Sequence, residues 1–481
     1  MSTCNISKVL SGTFVEFQVV ILTLDENHFA SELCDNKCKA LIKICNRCMI
    51  YYIIKNIIEQ RLKYITIVVN SKYYDDMVNY INTTFQDNYK YDDKKGKHIY
   101  CIDIEPYNTN NNEDIGSIQC LLQIKNKIKS DFIVVNCDIL GFVDFHSLAN
   151  LFRGENAICA ILLLENNQPS NDKKKKEITD EYVNLENNVW VCIDKNSKVV
   201  SIKDSLSMKE NGKMKISKVN LLFHKNFVLK TDLLDSHVYI FKHYVLEIME
   251  QKKNKFSSIK YDLIPYLVKI QNTSKAAEYS KGEFKYNMYN TLIEKYEGDD
   301  EIEEGKRENL MLDIINNENV ESVVCYIQPK NNGFCQRINS IPNFFKANLL
   351  FCVSRQDHLK NILPPYCFFL LTEKNQSFKD CIISSHFDHE ENILLKKSIL
   401  GKNVTIKKNS SINRSILMDN ITIHEKCVIQ NSIICDNVVI EENCKSSYYN
   451  TLYLIDCIIK ENSVIQKNSV HEKETLPLFI S

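Results

Sequence analysis

Three segments near the C-terminal end, Ser398-Ile-Leu-Gly-Lys-Asn-Val-Thr-Ile406, Ser415-Ile-Leu-Met-Asp-Asn-Ile-Thr-Ile423 and Ser432-Ile-Ile-Cys-Asp-Asn-Val-Val-Ile440, superimpose with an offset of 17 residues. Each opens on Ser, continues with two aliphatic residues, places Asn403, Asn420 or Asn437 five positions on, and closes on Ile. A fourth copy, Cys457 to Ile465, keeps Asn462 and Ile465 at an offset of 25, as an insertion of eight residues around 446–454 would produce. Between copies the apolar residues recur at about six, as in Ile406 and Ile412 or Ile423 and Ile429. Neither a helix nor an alternating strand has that spacing. A triangular coil does, because each of its three faces turns one aliphatic side chain inward. Stacked coils lie about 4.8 Å apart and share backbone hydrogen bonds, so like residues form ladders. The sequence therefore predicts a β-helix of hexapeptide repeats.

Upstream the pattern changes. Glu16–Thr23 reads as a buried strand, 47–62 as a helix and Tyr64–Asn70 as a β-branched strand, together a βαβ unit that implies parallel pairing. Further strands are expected at 98–103, 132–136, 157–164, 189–193 and 199–202, with helices at 115–128 and 144–152. This is a doubly wound, Rossmann-like α/β domain. Polar insertions near 165–181, with the run Lys173 to Lys176, and 271–307, with the acidic cluster Asp299 to Glu304, lack the apolar density to bury a core.

The composition is globular: 481 residues, 44% hydrophobic, Lys+Arg 60 against Asp+Glu 61. A formal charge of -1 supplies no basic field for a polyphosphate, so direct nucleic-acid binding is not expected. No apolar run approaches the roughly 20 residues of a membrane-spanning helix, and the first residues do not read as a signal peptide. Nineteen dispersed cysteines fit reduced thiols in the cytosol.

Ligands in such sheets bind at the carboxyl ends of strands. The loop after the first strand, Leu24-Asp25-Glu26-Asn27-His28, carries two carboxylates and no glycine, which opposes phosphate binding there. Asp138, after Val134-Val135-Asn136-Cys137, has two readings: a carboxylate for hydrated magnesium, or a cap on the next turn. Cys34, Cys38, Cys45 and Cys48 have a spacing that could hold zinc, but 45 and 48 open an apolar helix in this reading, and buried free thiols fit better. His386 and His389 are read as part of an exposed turn before the coil.

An α/β domain followed by a hexapeptide coil resembles the nucleotidyltransferase family and its noncatalytic relatives. Val15-Glu16-Phe17-Gln18-Val19-Val20, Tyr261 to Val268, Cys325-Tyr326-Ile327 with Cys335 and Arg337, Ala347-Asn348 and Ser432 to Glu441 are similar to the gamma-subunit family of eukaryotic translation initiation factor 2B. The resemblance covers nearly the whole chain apart from the polar insertions. It implies a nucleotidyltransferase-like domain over 1–350, a connector at 351–380, a left-handed parallel β-helix at 381–470 and a tail at 471–481. Lys39-Ala40-Leu41-Ile42 keeps the family's lysine but has Ala where proline is usual, and the glycines and arginine of the signature are absent. Lys39, Gly116, Asp138 and Asp235 fall where the family has nucleotide, metal and sugar contacts, which implies a vestigial pocket without cofactor or catalysis. The implied role is a cytosolic scaffold that pairs with a catalytic epsilon subunit and the other subunits of the factor 2B complex to exchange GDP for GTP on initiation factor 2. The epsilon subunit carries a further helical domain after its coil, and this chain ends about 16 residues past Ile465, which favours gamma. The alternative is a sugar-phosphate nucleotidyltransferase of the mannose-1-phosphate guanylyltransferase type.

Overall fold

The computed structural model describes residues 15–25, 29, 33, 37–85, 100–108, 115–165, 188–214, 216, 220–221, 224, 226–271, 321–329, 332–352, 377–441 and 457–465, with the backbone of strands at 452–455, 470–472 and 475–476. The two polar insertions, most of the connector at 351–380, Cys34, Glu26 to His28 and most of the coil insertion and tail lie outside these residues. The chain divides into two compact units, one of 1–22, 57–136 and 143–332, the other of 23–56, 137–142 and 333–481. Among the described residues no helix is long and apolar enough to cross a membrane.

The first unit is a nine-stranded sheet. Its strands are β1 (Phe17–Leu22), β2 (Tyr64–Asn70), β3 (Cys101–Tyr107), β4 (Asp131–Asn136), β5 (Cys159–Glu165), β6 (Asn188–Asp194), β7 (Val199–Asp204), β8 (Phe227–Phe241) and β9 (Val323–Gln328). Along the sheet they run β7-β6-β8-β4-β1-β2-β3, with β5 beside β8 and β9 beside β5. The Rossmann-like half is parallel: β1 pairs with β2 and β4, and β2 with β3. Every residue of β1 is buried, as a strand covered on both faces requires. The other half departs from the expected parallel pairing, because β8 runs antiparallel to β4, β5 and β6 and makes the sheet mixed. Sequence reading missed β8, since Asp232, Asp235, Ser236 and two register slips break its apolar alternation. It also missed β9, a short apolar run that follows the second polar insertion.

The second unit is built on the coil. Short strands stack in parallel into three sheets, of six, six and five strands, whose rungs include 394–396, 411–413 and 427–430 on one face, 399–400, 416–417 and 433–434 on the next, and 404–406 and 422–423 on the third. Ile406, Ile423 and Ile440 form the predicted inward ladder, fully buried together with Leu395, Ile412 and Ile429. The two aliphatic residues after each Ser divide their work. Leu400, Leu417 and Ile434 point into the coil, whereas Ile399, Ile416 and Ile433 join a second core with Ile42, Tyr52, Phe344 and Phe351. A strand covered on both sides explains why that pair is never polar.

The recurring polar positions of the repeat also have physical roles. Ser398, Ser415 and Ser432 are buried, and each hydroxyl donates to a carbonyl two residues back, at 2.7–2.9 Å, while accepting the backbone N–H of the next coil. Asn403, Asn420, Asn437 and Asn462 turn the corner with φ of 55–59°, a left-handed conformation that Asn tolerates better than most residues. Their side-chain amides bond from coil to coil at 2.9, 2.9 and 3.1 Å. His386 and His389 belong to the first coil and not to a turn before it: His389 ends a strand paired with 404–406 and packs against Phe378 and Phe387.

Candidate functional site

The second unit brings together two of the four residues the resemblance singles out. Lys39 begins a short 3-10 turn, Lys39–Leu41. Asp138 precedes the strand Ile139–Gly141, which pairs with Cys335–Arg337. Lys39 Nζ lies 2.9 Å from Asp138 Oδ2, and Arg337 Nη2 reaches the same oxygen at 2.9 Å while its Nε approaches Oδ1 at 3.3 Å. All three side chains are buried, Asp138 completely. Asp25, from the loop after β1, lies 3.8 Å from Lys39 Nζ.

The electrostatics follow from burial and pairing. Burial alone would raise the Asp138 carboxyl, but the Arg337 guanidinium and the Lys39 ammonium hold it well below the usual carboxylate range. Burial likewise opposes the Lys39 charge, and Asp138 together with Cys137 and Asp25 outweighs it, so its ammonium titrates above its ordinary value. The carboxylate is fully ionised and fully paired. Asp138 is thus the centre of a buried ion cluster, a role that neither of the two sequence readings contained. Arg337 completes that cluster and was not read as a site residue, because 199 residues separate it from Asp138.

Gly116 and Asp235 belong to the first unit. Gly116 precedes the helix Ser117–Gln123, and a Cβ there would meet Ser257 Oγ at 2.1 Å and Ser257 O at 2.3 Å. The glycine is therefore required by close approach of its own chain, reinforced by Ile118 N–H donating to Ser257 O at 3.0 Å. Asp235 is buried at the irregularity in β8. Its carboxylate accepts the His237 N–H at 2.9 Å and the Tyr239 hydroxyl at 2.8 Å, and His237 has φ of 53°. Each of the four positions has a partner in the fold.

The segment around Lys39 is fastened to the coil. Asp419 and Asp436 stand one coil apart in a column where Asp436 Oδ1 accepts the Asp419 N–H at 2.8 Å and Asp419 Oδ1 accepts the Lys402 N–H at 2.9 Å. Two stacked carboxylates repel, and Lys43 and Lys37 supply the counter-charges, pairing with Asp419 and Asp436 respectively. Burial would raise Asp419, yet its bond to Lys43, the Lys402 N–H and the Lys43 and Lys37 charges together leave it lowered. Asn46, in the turn between strands Lys43–Ile44 and Arg47–Cys48, donates to Leu400 O at 2.8 Å. Cys45 occupies that turn, with φ of 48°, where the sequence reading put it in a helix that begins only at Met49. Cys38, Cys45 and Cys48 are buried thiols, and among the described residues no group of three His, Cys, Asp or Glu side chains could hold a metal.

Comparison with known proteins agrees with the coil and extends along the chain. Residues 365–448 match the family of GlmU-like, C-terminal hexapeptide domains. The chain is 27% identical over 235 residues to translation initiation factor eIF2B subunit gamma of Schizosaccharomyces pombe, an alignment covering 48% of this chain and 45% of that one. It is 25% identical over 364 residues to the protein of the same name from Dictyostelium discoideum, covering 70% of this chain and 75% of the relative. This chain is thus similar in sequence to the gamma subunits of translation initiation factor eIF2B.

Proposed function

We propose that this chain is a noncatalytic scaffold subunit of a translation initiation complex in the cytosol, where it pairs with a catalytic epsilon-type subunit and other subunits and promotes exchange of GDP for GTP on initiation factor 2. The observation that carries the reading is the Lys39–Asp138–Arg337 cluster. Nucleotidyl transfer needs free positive charge and preorganised donors aimed at a departing pyrophosphate. Here the lysine is spent on a carboxylate, and a magnesium ion at Asp138 would have to displace two buried cations. In the first unit a side chain at Gly116 would strike Ser257, and Asp235 accepts from Tyr239, so these two positions serve their own fold as well.

A scaffold contributes surface. By holding initiation factor 2 on a second site, it raises the effective concentration of substrate at the exchange centre. The test is release of labelled GDP from initiation factor 2 with the epsilon subunit alone, with this chain alone, and with both. The reading predicts no release by this chain alone and faster release with both. Full exchange by this chain alone, or failure to co-purify with epsilon on co-expression, would overturn it.

A further inference from the structure

Several charges on the coil are answered: Lys408 pairs with Glu425, and the stacked Asp419 and Asp436 are met by Lys43 and Lys37. One part of its surface departs from this. Lys379 stands in register with Lys396 on the next coil. One residue further along, at the corner, Lys397 and Arg414 occupy successive coils with φ of 47° and 50°. Backbone hydrogen bonds fix their stagger, since Lys397 N–H donates to Lys379 O and Arg414 N–H to Lys396 O, each at 2.9 Å. Four cations thus stand on a rigid lattice whose rungs lie about 4.8 Å apart. All four are exposed, and among the described residues none of their side chains has a hydrogen-bond or ion-pair partner. Beside them Leu394 is 58% exposed, on the same face as Lys396, with Leu395 between them turned into the coil.

We propose that this face docks an acidic segment of a partner protein, an extended stretch whose Asp or Glu carboxylates flank an aliphatic residue that covers Leu394. The inference does not depend on the exchange-factor reading. Lysines often guard the open end of a sheet, but that needs charge on the end rung alone. Here the charge runs over three successive coils, at 379, 396–397 and 414, and stacked like charges repel unless an anion lies among them. Carboxylates on alternate residues of an extended chain are about 6.6 Å apart, within reach of flexible Lys and Arg stems anchored on this lattice. The composition of the face selects protein over nucleic acid. Its outward positions 379, 394, 396, 411 and 413 are Lys, Leu, Lys, Ser and Asn, so a base has no ring to stack on, whereas Leu394 matches an aliphatic side chain. The formal charge of -1 on the whole chain likewise gives no long-range field for a polyphosphate.

Fluorescence anisotropy of a labelled peptide, Glu-Glu-Leu-Glu-Glu, titrated with the full chain over a salt series tests the proposal. The expected result is binding that weakens as salt rises and that drops by about tenfold or more when Lys396→Glu and Lys397→Glu are combined. Leu394→Ser should weaken binding without changing its salt dependence, and the same peptide with Gln for Glu should not bind. These side chains are exposed, so the variants should keep the parent melting temperature. No binding of the acidic peptide, equal binding by the charge-reversed chain or binding of the Gln peptide would overturn the proposal. Tighter binding of an oligouridylate of the same charge would overturn it too, by making the face a nucleic-acid surface. So would failure of Lys379, Lys396 and Lys397 to react with an amine-acetylating reagent in the free chain, because the chain's own residues would then occupy the array.

Discussion

Neutralising Asp138 leaves Lys39 and Arg337 buried against one another with no anion between them. Asp138→Asn should destabilise the chain by about 3–5 kcal/mol, measured by urea denaturation, because an unpaired buried charge costs more than the intact cluster contributes. Replacing all three residues with apolar ones of similar volume should recover most of that loss. Asp103 offers a test by pH. Buried on β3 next to Glu105, it is raised to about 6, mainly by burial and then by the Glu105 charge, which Lys127 at 2.8 Å from Glu105 only partly offsets. A carboxyl raised in the fold favours its protonated form. Its stabilisation is therefore complete below about 4 and lost as pH rises through about 6. Asp103→Asn should remove this dependence and stabilise the chain at pH 7.5 by on the order of 2–3 kcal/mol, seen as a flattened pH profile of the unfolding midpoint. The thiols give a third residue-level expectation. Burial pushes Cys325, Cys335, Cys352 and Cys427 up to about 12, so none should react with Ellman's reagent at pH 8 until denaturant is added.

At the scale of the element, the coil is a set of columns, and each column must tolerate being repeated about every 4.8 Å. Aliphatic, Ser and Asn columns gain from repetition. Charged columns do not, and in two of them the sign alternates. Glu390, Lys407, His424 and Glu441 occupy one corner, with Lys407 Nζ 3.2 Å from His424 Nδ1, and Lys408 pairs with Glu425 at 3.2 Å in the neighbouring column. Like charges that stack are either exposed, as Lys379 with Lys396, or answered by lysines from outside the coil, as in the Asp419–Asp436 pair. Ile423→Lys would bury a charge in the inward ladder and should cost several kcal/mol, lowering the melting temperature by many degrees. Ser415→Ala leaves the Ser432 N–H without its acceptor and should cost about 1–3 kcal/mol in the same measurement. An unchanged melting temperature for either variant would contradict the ladder assignment.

At the scale of the whole molecule, what was legible in the sequence is what repeats or runs locally. The 17-residue offset disclosed the coil because Ser, Asn and Ile recur at fixed intervals, and the βαβ start was plain from two apolar strands around a periodic helix. Long-range relations were not legible. Nothing near Ile399 marks it as facing a second core with Phe344 and Phe351, and nothing near Arg337 marks it as the partner of Asp138, because both depend on chain packing far along the sequence. β8 was hidden for the opposite reason, since its irregularity at Asp235 to Tyr239 satisfies buried polar groups locally and so erases the pattern that identifies a strand. The decayed signature around Lys39 was legible, but its present structural use was not. That use carries the central claim, that Lys39 and Asp138 hold the fold together in a buried ion cluster. The most direct measurement is pyrophosphate release by the purified chain supplied with magnesium, nucleoside triphosphates and a panel of sugar phosphates. The account predicts none above background. Sustained release that is lost in Asp138→Asn, with the variant still folded, would contradict it.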